Sequence, residues 1–245
     1  MKNTKLANEI KKRLVIYPLA IIFSLIGAIV IVLIGGSNTH KEKMSNAVQY
    51  KDFIYFADAE AMKVWSPEAL KAVDEAVELV EPEVIDSFVK NGNVVLLEAT
   101  DDLGDNVGDY GTTGQTLQFE KSIEIARNNE DVVYLKHTIL HEFGHYIDNV
   151  SGFKKQNNSI INNYFKNGSN NNCYREYSYT SKHEYFADSY AAYKLGNDKT
   201  YDSRQISKEV KTIVNNTFKN GYKKTNLFLT TIKEFYQLGL DKIMN

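Results

Sequence analysis

The sequence predicts an α+β fold, mostly helical with a small sheet, preceded by one N-terminal transmembrane helix. Three observations support this prediction. Apolar residues recur at helical spacing in several segments after residue 66, short apolar runs bounded by turn residues lie between 94 and 127, and an uncharged stretch lies at 14–34. The length of 245 residues suits one globular domain with an appendage.

The uncharged stretch Leu14–Ile34 would form a helix about 31 Å long, enough to cross a hydrocarbon core of roughly 30 Å. Lys11, Lys12 and Arg13 directly precede it and favour a cytoplasmic N-terminus. A cleaved signal peptide is the alternative, although its apolar core is usually only about 7–15 residues long. We predict a cytoplasmic tail at 1–13, a transmembrane signal anchor at 14–34, a tether at 35–55 and a folded domain at 56–245. The protein would then be a single-pass membrane protein with an extracellular domain, or a secreted one after signal cleavage.

The folded domain begins with two predicted helices and a strand. Ser66 and Pro67 form a good N-cap and first-turn pair for a helix that reaches about Val80. Pro82 starts a second helix, which Asn91-Gly92 should end. The apolar run Val94–Ala99 is bounded by turn residues and predicts a buried strand.

A glycine-rich loop and two further strands come next. The loop at 101–114 carries aspartates that could bind calcium, but they lack EF-hand spacing, so a solvated turn is preferred. The segments 115–120 and 121–127 alternate well enough for two strands.

Helices dominate the rest of the chain. Asp131 should cap a long helix that ends near Asn149. The Asn- and Tyr-rich stretch to Thr180 is predicted to be mostly irregular, with one short helix near Ile160. A helix follows Ser181 and stops at Gly196, and two more fill the C-terminus.

Composition excludes some classes of function. The net charge is −2 and no basic tract is interleaved with aromatic residues, so nucleic acid is not an expected partner. Cys173 is the only cysteine, which excludes an intramolecular disulfide and a cysteine-based metal cluster.

The helix that follows Asp131 contains the pattern H-E-x-x-H. Residues four apart lie on the same face of a helix, so His141 and His145 can present two imidazoles to one tetrahedral ion. Glu142 can then act as general base without ligating the metal. The alternative is a core helix with hydrogen-bonded histidines, but it does not account for the helix-weakening Gly144 beside them. The pattern therefore predicts a Zn²⁺ site.

A catalytic zinc ion normally takes three protein ligands, and we predict Glu184 as the third. Ser181 and Glu184 also fit a capping box, in which the glutamate would bond to the helix backbone instead. A capping box does not account for Asp188. This residue lies one turn further along the same face and suits a carboxylate that accepts the second ring N–H of a zinc-bound histidine.

Two other histidines are weaker candidates. His183 is a competing ligand, but on a helix it points about 100° away from its neighbour Glu184. His137 lies one turn before His141 and is expected to pack or to line the cleft.

The motif HEFGH at 141–145, followed by EYFAD at 184–188, resembles the gluzincin class of zinc peptidases. More narrowly, it is similar to the catalytic domain of anthrax lethal factor and to the Pro-Pro endopeptidases. The resemblance implies a zincin-like metallopeptidase domain. It also implies that Tyr177, seven positions before Glu184, helps to stabilise the oxyanion, with Tyr174 and Tyr179 as alternatives in the same stretch.

These residues together predict a zinc-dependent metalloendopeptidase that hydrolyses extracytoplasmic protein or peptide substrates. His141, His145 and Glu184 would bind Zn²⁺, and Glu142 would transfer the proton. The strand before the active-site helix, Ser122–Arg127, would pair with an extended substrate. The alternatives are a zinc-binding, catalytically inactive protein and a surface or interaction protein without metal.

Overall fold

A computed structural model of the chain describes residues 34–104, 112–151, 155–168, 176–196 and 203–218, together with positions 24, 26–28, 30 and 31. The chain divides into two compact units, one formed by His40–Thr225 and the other by Met1–Thr39 with Asn226–Asn245. In the second unit, helical backbone covers 34–39. All strands named below belong to the first unit.

The prediction of a single-pass membrane protein with an extracellular domain is contradicted by one finding. No helix within the described residues is both long enough and apolar enough to cross a bilayer. Most of the predicted span Leu14–Ile34 lies outside the described residues, as does the tail at 1–13.

Five short strands form one mixed sheet in the order β1-β2-β3-β5-β4. They are β1 (Val48–Lys51), β2 (Ile54–Phe56), β3 (Val94–Leu97), β4 (Gly114–Leu117) and β5 (Ser122–Ile125). β3 lies parallel to both β2 and β5, while β1 pairs antiparallel with β2 and β4 pairs antiparallel with β5. β1 and β4 are therefore the two edges of the described sheet.

The strands β3, β4 and β5 agree with the sequence prediction, whereas β1 and β2 do not. Both fall in or next to the predicted tether at 35–55. They form a tight hairpin in which Lys51 pairs with Ile54, and Asp52 takes a positive φ of 44°. The two turn residues are Asp52 and Phe53, so the turn lacks the Asn-Gly or Asp-Gly signal that is typical of two-residue hairpins.

Besides the helical backbone at 34–39 and 40–46, the helices in the described residues are α1 (Ala61–Val64), α2 (Pro67–Leu79), α3 (Pro82–Lys90), α4 (Val132–Ser151), α5 (Lys155–Gly168), α6 (Lys182–Leu195) and α7 (Ser203–Phe218), with a 3₁₀ turn at Glu176–Tyr179. The predicted caps are present. Ser66 Oγ accepts a hydrogen bond from Ala69 N at 3.1 Å, and Asp131 Oδ1 accepts one from Tyr134 N at 2.9 Å. Gly196 ends α6 with a φ of 65°.

The C-terminal half differs from the prediction at α5. α5 is much longer than the short helix expected near Ile160. Its sequence is mostly polar and shows little of the apolar periodicity by which a helix is recognised, so the predicted helix is too short. Asn157 and Ile161 are nevertheless buried, and Asn157 Nδ2 donates to Thr217 Oγ1 of α7 at 3.1 Å. The second predicted C-terminal helix lies outside the described residues.

α4 is the helix around which the core is built. It packs against α2, α6 and the sheet. Its residues Ile139, Phe143 and Ile147 are fully buried, as are Ile123 and Ile125 of β5. Since the apolar face of α4 is used for this core, its histidines face α6.

The opposite face of the sheet carries a polar cluster around one buried carboxylate. Glu124 of β5 is buried and forms an ion pair with Lys43, which also contacts Glu120 Oε2 at 2.7 Å. Gln115 Nε2 donates to Glu124 Oε2 at 2.9 Å. The ion pair offsets the cost of burying the Glu124 charge and fixes residues 40–46 to the sheet.

Candidate metal centre

Three side chains from two helices converge on one point. His141 and His145 project from the same face of α4, and Glu184 lies in the first turn of α6. Glu184 Oε2 is 3.0 Å from His141 Nε2 and 3.3 Å from His145 Nε2, and one ligand atom from each residue lies within 4.8 Å of the others. Ligand atoms held at about 2.0–2.1 Å in a tetrahedron are about 3.3 Å apart. Glu184 Oε2 therefore lies at about the spacing of co-ligands from both imidazole nitrogens, and the three residues form a group that could hold one ion.

Gly144 allows the two helices to come this close. A Cβ at Gly144 would lie 2.7 Å from Ala187 Cα and 3.0 Å from Ala187 O. Both contacted atoms belong to the backbone, so no side-chain rotation could relieve the overlap. Glu184 lies one turn before Ala187, and the glycine therefore sets how far its carboxylate must reach.

Asp188 contacts the opposite side of the His141 ring. Both residues are buried, and Asp188 Oδ1 lies 2.7 Å from His141 Nδ1. A carboxylate in this position favours the tautomer with the proton on Nδ1. The ring nitrogen that a metal ion would bind, after replacing its proton, is then Nε2 on the side of Glu184.

The electrostatics of the cluster favour a bound cation. Burial disfavours a charged His141, but hydrogen bonds to Asp188 and Glu184 outweigh this effect and raise the pKa of His141 to about 10. Burial also opposes ionisation of Glu184, yet hydrogen bonds from His141 and His145 lower the pKa of its carboxyl group. Two imidazoles and one carboxylate are a donor set that suits Zn²⁺ and other divalent transition metals. The residues present therefore fit a metal ion.

The two possible roles of Glu184 are separated in the structure. Ser181 Oγ accepts a hydrogen bond from Glu184 N at 3.1 Å, so the backbone of Glu184 takes part in the N-cap. The Glu184 carboxylate is directed to the two imidazoles. A capping serine and a metal-facing carboxylate therefore coexist in one S-x-x-E pattern.

Glu142 lies beside the cluster with a different set of contacts. It is buried, and its Oε2 accepts a hydrogen bond from Thr116 Oγ1 at 2.7 Å. A Cβ at Gly114 would lie 2.9 Å from Glu142 Oε1 and 2.7 Å from Thr138 Cγ2. Strand β4 therefore fits closely against Glu142. A larger residue at 114 would displace either the strand or the Glu142 side chain.

The predicted substrate strand is wrong. The sequence predicts that Ser122–Arg127 pairs with an extended substrate, but β5 lies between β3 and β4 and pairs with a strand on each side. The edge strand next to β5 is β4, which contacts Glu142.

Tyr177 lies in the 3₁₀ turn just before α6, with its ring centroid 6.3 Å from that of His141. Partial burial and the nearby carboxylates of Glu184 and Glu142 raise the pKa of Tyr177 to about 12. Its hydroxyl group therefore keeps its proton at neutral pH and can donate a hydrogen bond. Tyr174 and the side chain of Tyr179 lie outside the described residues.

The other two candidate histidines have different contacts. His137 is buried, with Nε2 3.7 Å from Asp188 Oδ1 and its ring stacked on Tyr134. His183 forms a hydrogen bond through Nδ1 with Asp148 of α4. Within the described residues, the group of possible ligands consists of His141, His145 and Glu184 and includes neither of them.

Sequence reasoning missed two hydroxyl residues that contact the site. Thr116 donates to Glu142, and Ser178 Oγ donates to Asp188 Oδ2. No local pattern marks either of them. Thr116 reaches α4 only through the tertiary placement of β4, and Ser178 lies in an irregular Tyr-rich stretch.

Comparisons with known proteins identify no family. No protein-family model matches the chain, and no curated protein matches it significantly. The resemblance to gluzincin peptidases therefore rests on the motif residues alone.

Proposed function

We propose that this chain is a zinc-dependent metalloendopeptidase with a zincin-like domain. The observation that supports this most is the convergence of His141, His145 and Glu184 on one point. Glu142 follows the first of these ligands directly, as a general base in an H-E-x-x-H motif must. The only metal-ligand group found in the described residues is thus accompanied by a residue with a catalytic role.

The chemistry divides among the residues around this point. A bound Zn²⁺ would supply Lewis-acid chemistry, acidifying water and polarising a carbonyl oxygen. Glu142 accepts the proton of the attacking water and delivers it to the leaving amine. Asp188 keeps the His141 ring in the tautomer that binds metal. The Tyr177 hydroxyl donates a hydrogen bond to the oxyanion that forms during attack.

The substrate we propose is an extended peptide segment of a protein. β4 is an edge strand, and its residue Thr116 donates a hydrogen bond to the proposed base Glu142. An extended peptide that pairs with the outer side of β4 would add a strand to the sheet next to Glu142. Main-chain hydrogen bonds would hold such a substrate whatever its sequence.

The test is a metal analysis combined with a search for cleavage. The purified full chain should contain about one Zn²⁺ and cleave members of a peptide library, and a chelator should abolish cleavage until zinc is restored. Glu142→Gln is the matched control, because it keeps the shape of the side chain and removes the base. We expect this variant to retain zinc while turnover falls roughly 10²-fold or more.

Two results would contradict the proposal in different ways. Zinc binding without cleavage of any peptide would leave a catalytically inactive zinc-binding protein. Absence of zinc after purification without chelators and after zinc addition would reject the metal centre itself.

A further inference from the structure

The 3₁₀ turn before α6 carries two neighbouring side chains with opposite environments. Tyr177 is half exposed beside His141, whereas Ser178 is fully buried. Ser178 Oγ donates a hydrogen bond to Asp188 Oδ2. The other oxygen of that carboxylate, Oδ1, lies 2.7 Å from His141 Nδ1. A continuous series of hydrogen bonds therefore joins the turn, Asp188 and His141.

We propose that Ser178 is a positioning residue for the metal centre. It holds the Asp188 carboxylate in the orientation that serves His141, and it fastens the turn that carries Tyr177 to α6. This inference rests on the proposed function, because it assumes that His141 is a metal ligand.

The first part of the argument concerns the orientation of Asp188. A carboxylate that accepts donors on both oxygens cannot rotate without losing one of them, and losing a hydrogen bond to a buried charged group is costly. A second imidazole lies near the same carboxylate, with His137 Nε2 3.7 Å from Asp188 Oδ1. The Ser178 hydroxyl holds Oδ2 and so opposes rotation of the carboxylate away from His141.

The second part concerns the turn itself. Thr180 closes the turn, since its N and Oγ1 both donate to Tyr177 O, at 3.0 and 2.8 Å. The turn therefore behaves as one unit. Ser178 is a buried side chain through which this unit is bonded to α6. Its position directly after Tyr177 means that the same bond limits movement of the tyrosine relative to His141.

The experiment uses Zn²⁺ alone as the probe and measures its dissociation constant by competition with a chromogenic chelator. We expect Ser178→Ala to weaken Zn²⁺ binding by about tenfold, the usual effect of losing a partner behind a metal ligand. Ser189→Ala is the matched control. Ser189 is also buried and neighbours Asp188, but its hydroxyl bonds to Tyr185 O within its own helix at 2.6 Å. This control should stay within about twofold of wild type.

A double-mutant cycle separates positioning from packing. If Ser178 acts through Asp188, Ser178→Ala should have no further effect on zinc affinity in an Asp188→Ala background. An equal loss in both backgrounds would overturn the inference and leave Ser178 as a packing residue. Ser178→Cys retains the size and a weak donor, so its zinc affinity should fall between wild type and Ser178→Ala. It serves as the test variant if Ser178→Ala does not fold.

The outcomes distinguish this inference from the proposed function. A wild-type protein that binds Zn²⁺ while Ser178→Ala binds it equally well would overturn the inference alone. A wild-type protein that binds no Zn²⁺ would overturn both.

Discussion

At the residue scale, Glu142, Glu184 and Asp188 place three carboxylates in one cluster, yet each has a different contact. Glu184 faces the Nε2 atoms of both histidines, Asp188 faces Nδ1 of His141, and Glu142 faces Thr116. Since the three groups are chemically alike, their positions along α4 and α6 decide what each can do. Their contacts match the three roles that we propose for them: a metal ligand, an orienting group and a general base.

Glu184→Ala tests whether this carboxylate binds metal. We expect zinc affinity to fall by more than about 10²-fold. Losing a residue that only hydrogen-bonds to a ligand typically lowers affinity by roughly 10- to 100-fold, and losing the ligand itself should lower it further. Ser181→Ala is the control because it removes only the cap hydroxyl bonded to Glu184 N. That change should cost about 1 kcal/mol of stability and leave zinc affinity intact. Equilibrium dialysis with Zn²⁺ and thermal unfolding measure the two effects. Full zinc occupancy in Glu184→Ala would reject this ligand.

Tyr177→Phe tests the oxyanion role. The pKa of about 12 keeps the hydroxyl protonated, so its removal deletes one hydrogen-bond donor and no charge. We expect kcat to fall about 10²-fold with zinc content and stability unchanged. Tyr146→Phe is a matched control, since its hydroxyl lies 2.9 Å from Ser87 Oγ in the core. This control should lower stability and leave kcat intact. Steady-state kinetics of both variants measure the effect. If Tyr177→Phe kept the kcat of the wild type, the role of Tyr177 would be structural only.

At the element scale, the site exists because α4 and α6 approach closely at Gly144. Glycine normally weakens a helix by about 1 kcal/mol relative to alanine. Its presence in the middle of α4 is explained by the backbone of Ala187, 2.7 Å from where a Cβ would lie. The distance between two helices, and with it the geometry of the ligands, thus depends on the absence of one methyl group.

Gly144→Ala should therefore destabilise the protein despite its higher helix propensity. Overpacking of this kind costs about 1–3 kcal/mol, and α6 must move away with Glu184. If the displacement of Glu184 weakens zinc binding by about 1.4 kcal/mol, the dissociation constant rises tenfold. We therefore expect zinc affinity to fall about tenfold or more. Gly35→Ala is the control, because a Cβ added to that helical glycine would have nothing within 4 Å of it. Denaturant unfolding and zinc titration of both variants make the comparison; equal behaviour would contradict the role of Gly144.

Elements that carry their own start and stop signals are the ones the sequence predicts well. Ser66-Pro67, Pro82, Asp131 and Gly196 mark ends of α2, α3, α4 and α6, and the structure has helix ends there. β1 and β2 carry no such signal, because Asp52 supplies the turn without glycine. α5 is polar enough to look irregular. An element is thus predicted well from the sequence when its own residues mark its ends, and poorly when they do not.

At the scale of the whole molecule, strand order is the property that the sequence could not supply. β3, β4 and β5 can each be recognised by itself, but nothing local shows that β5 lies between β3 and β4. The order decides which strand remains at an edge, and hence which one a peptide can join. For the same reason, Thr116 could not be linked to Glu142. His141, His145, Glu184 and Asp188 could be predicted because helical spacing determines which of them share a face.

Zinc should stabilise the whole folded unit, because its predicted ligands lie on two helices that only folding brings together. An ion that binds only the folded state adds about 2.7 kcal/mol at a concentration about 100 times its Kd. For a domain of this size, each kcal/mol raises Tm by about 2–4 °C, so we expect a rise of roughly 5–10 °C that a chelator reverses.

Variants assign this rise in Tm to the predicted centre. Glu142→Gln should show the full increase, because Glu142 is outside the ligand group, whereas His145→Ala should show almost none. Calorimetry with and without Zn²⁺ measures both. If His145→Ala were stabilised as much as wild type, zinc would bind elsewhere on the chain. A bound ion at the predicted centre must lose its effect on folding when one of its imidazoles is removed, since the remaining ligands cannot hold it with the same affinity.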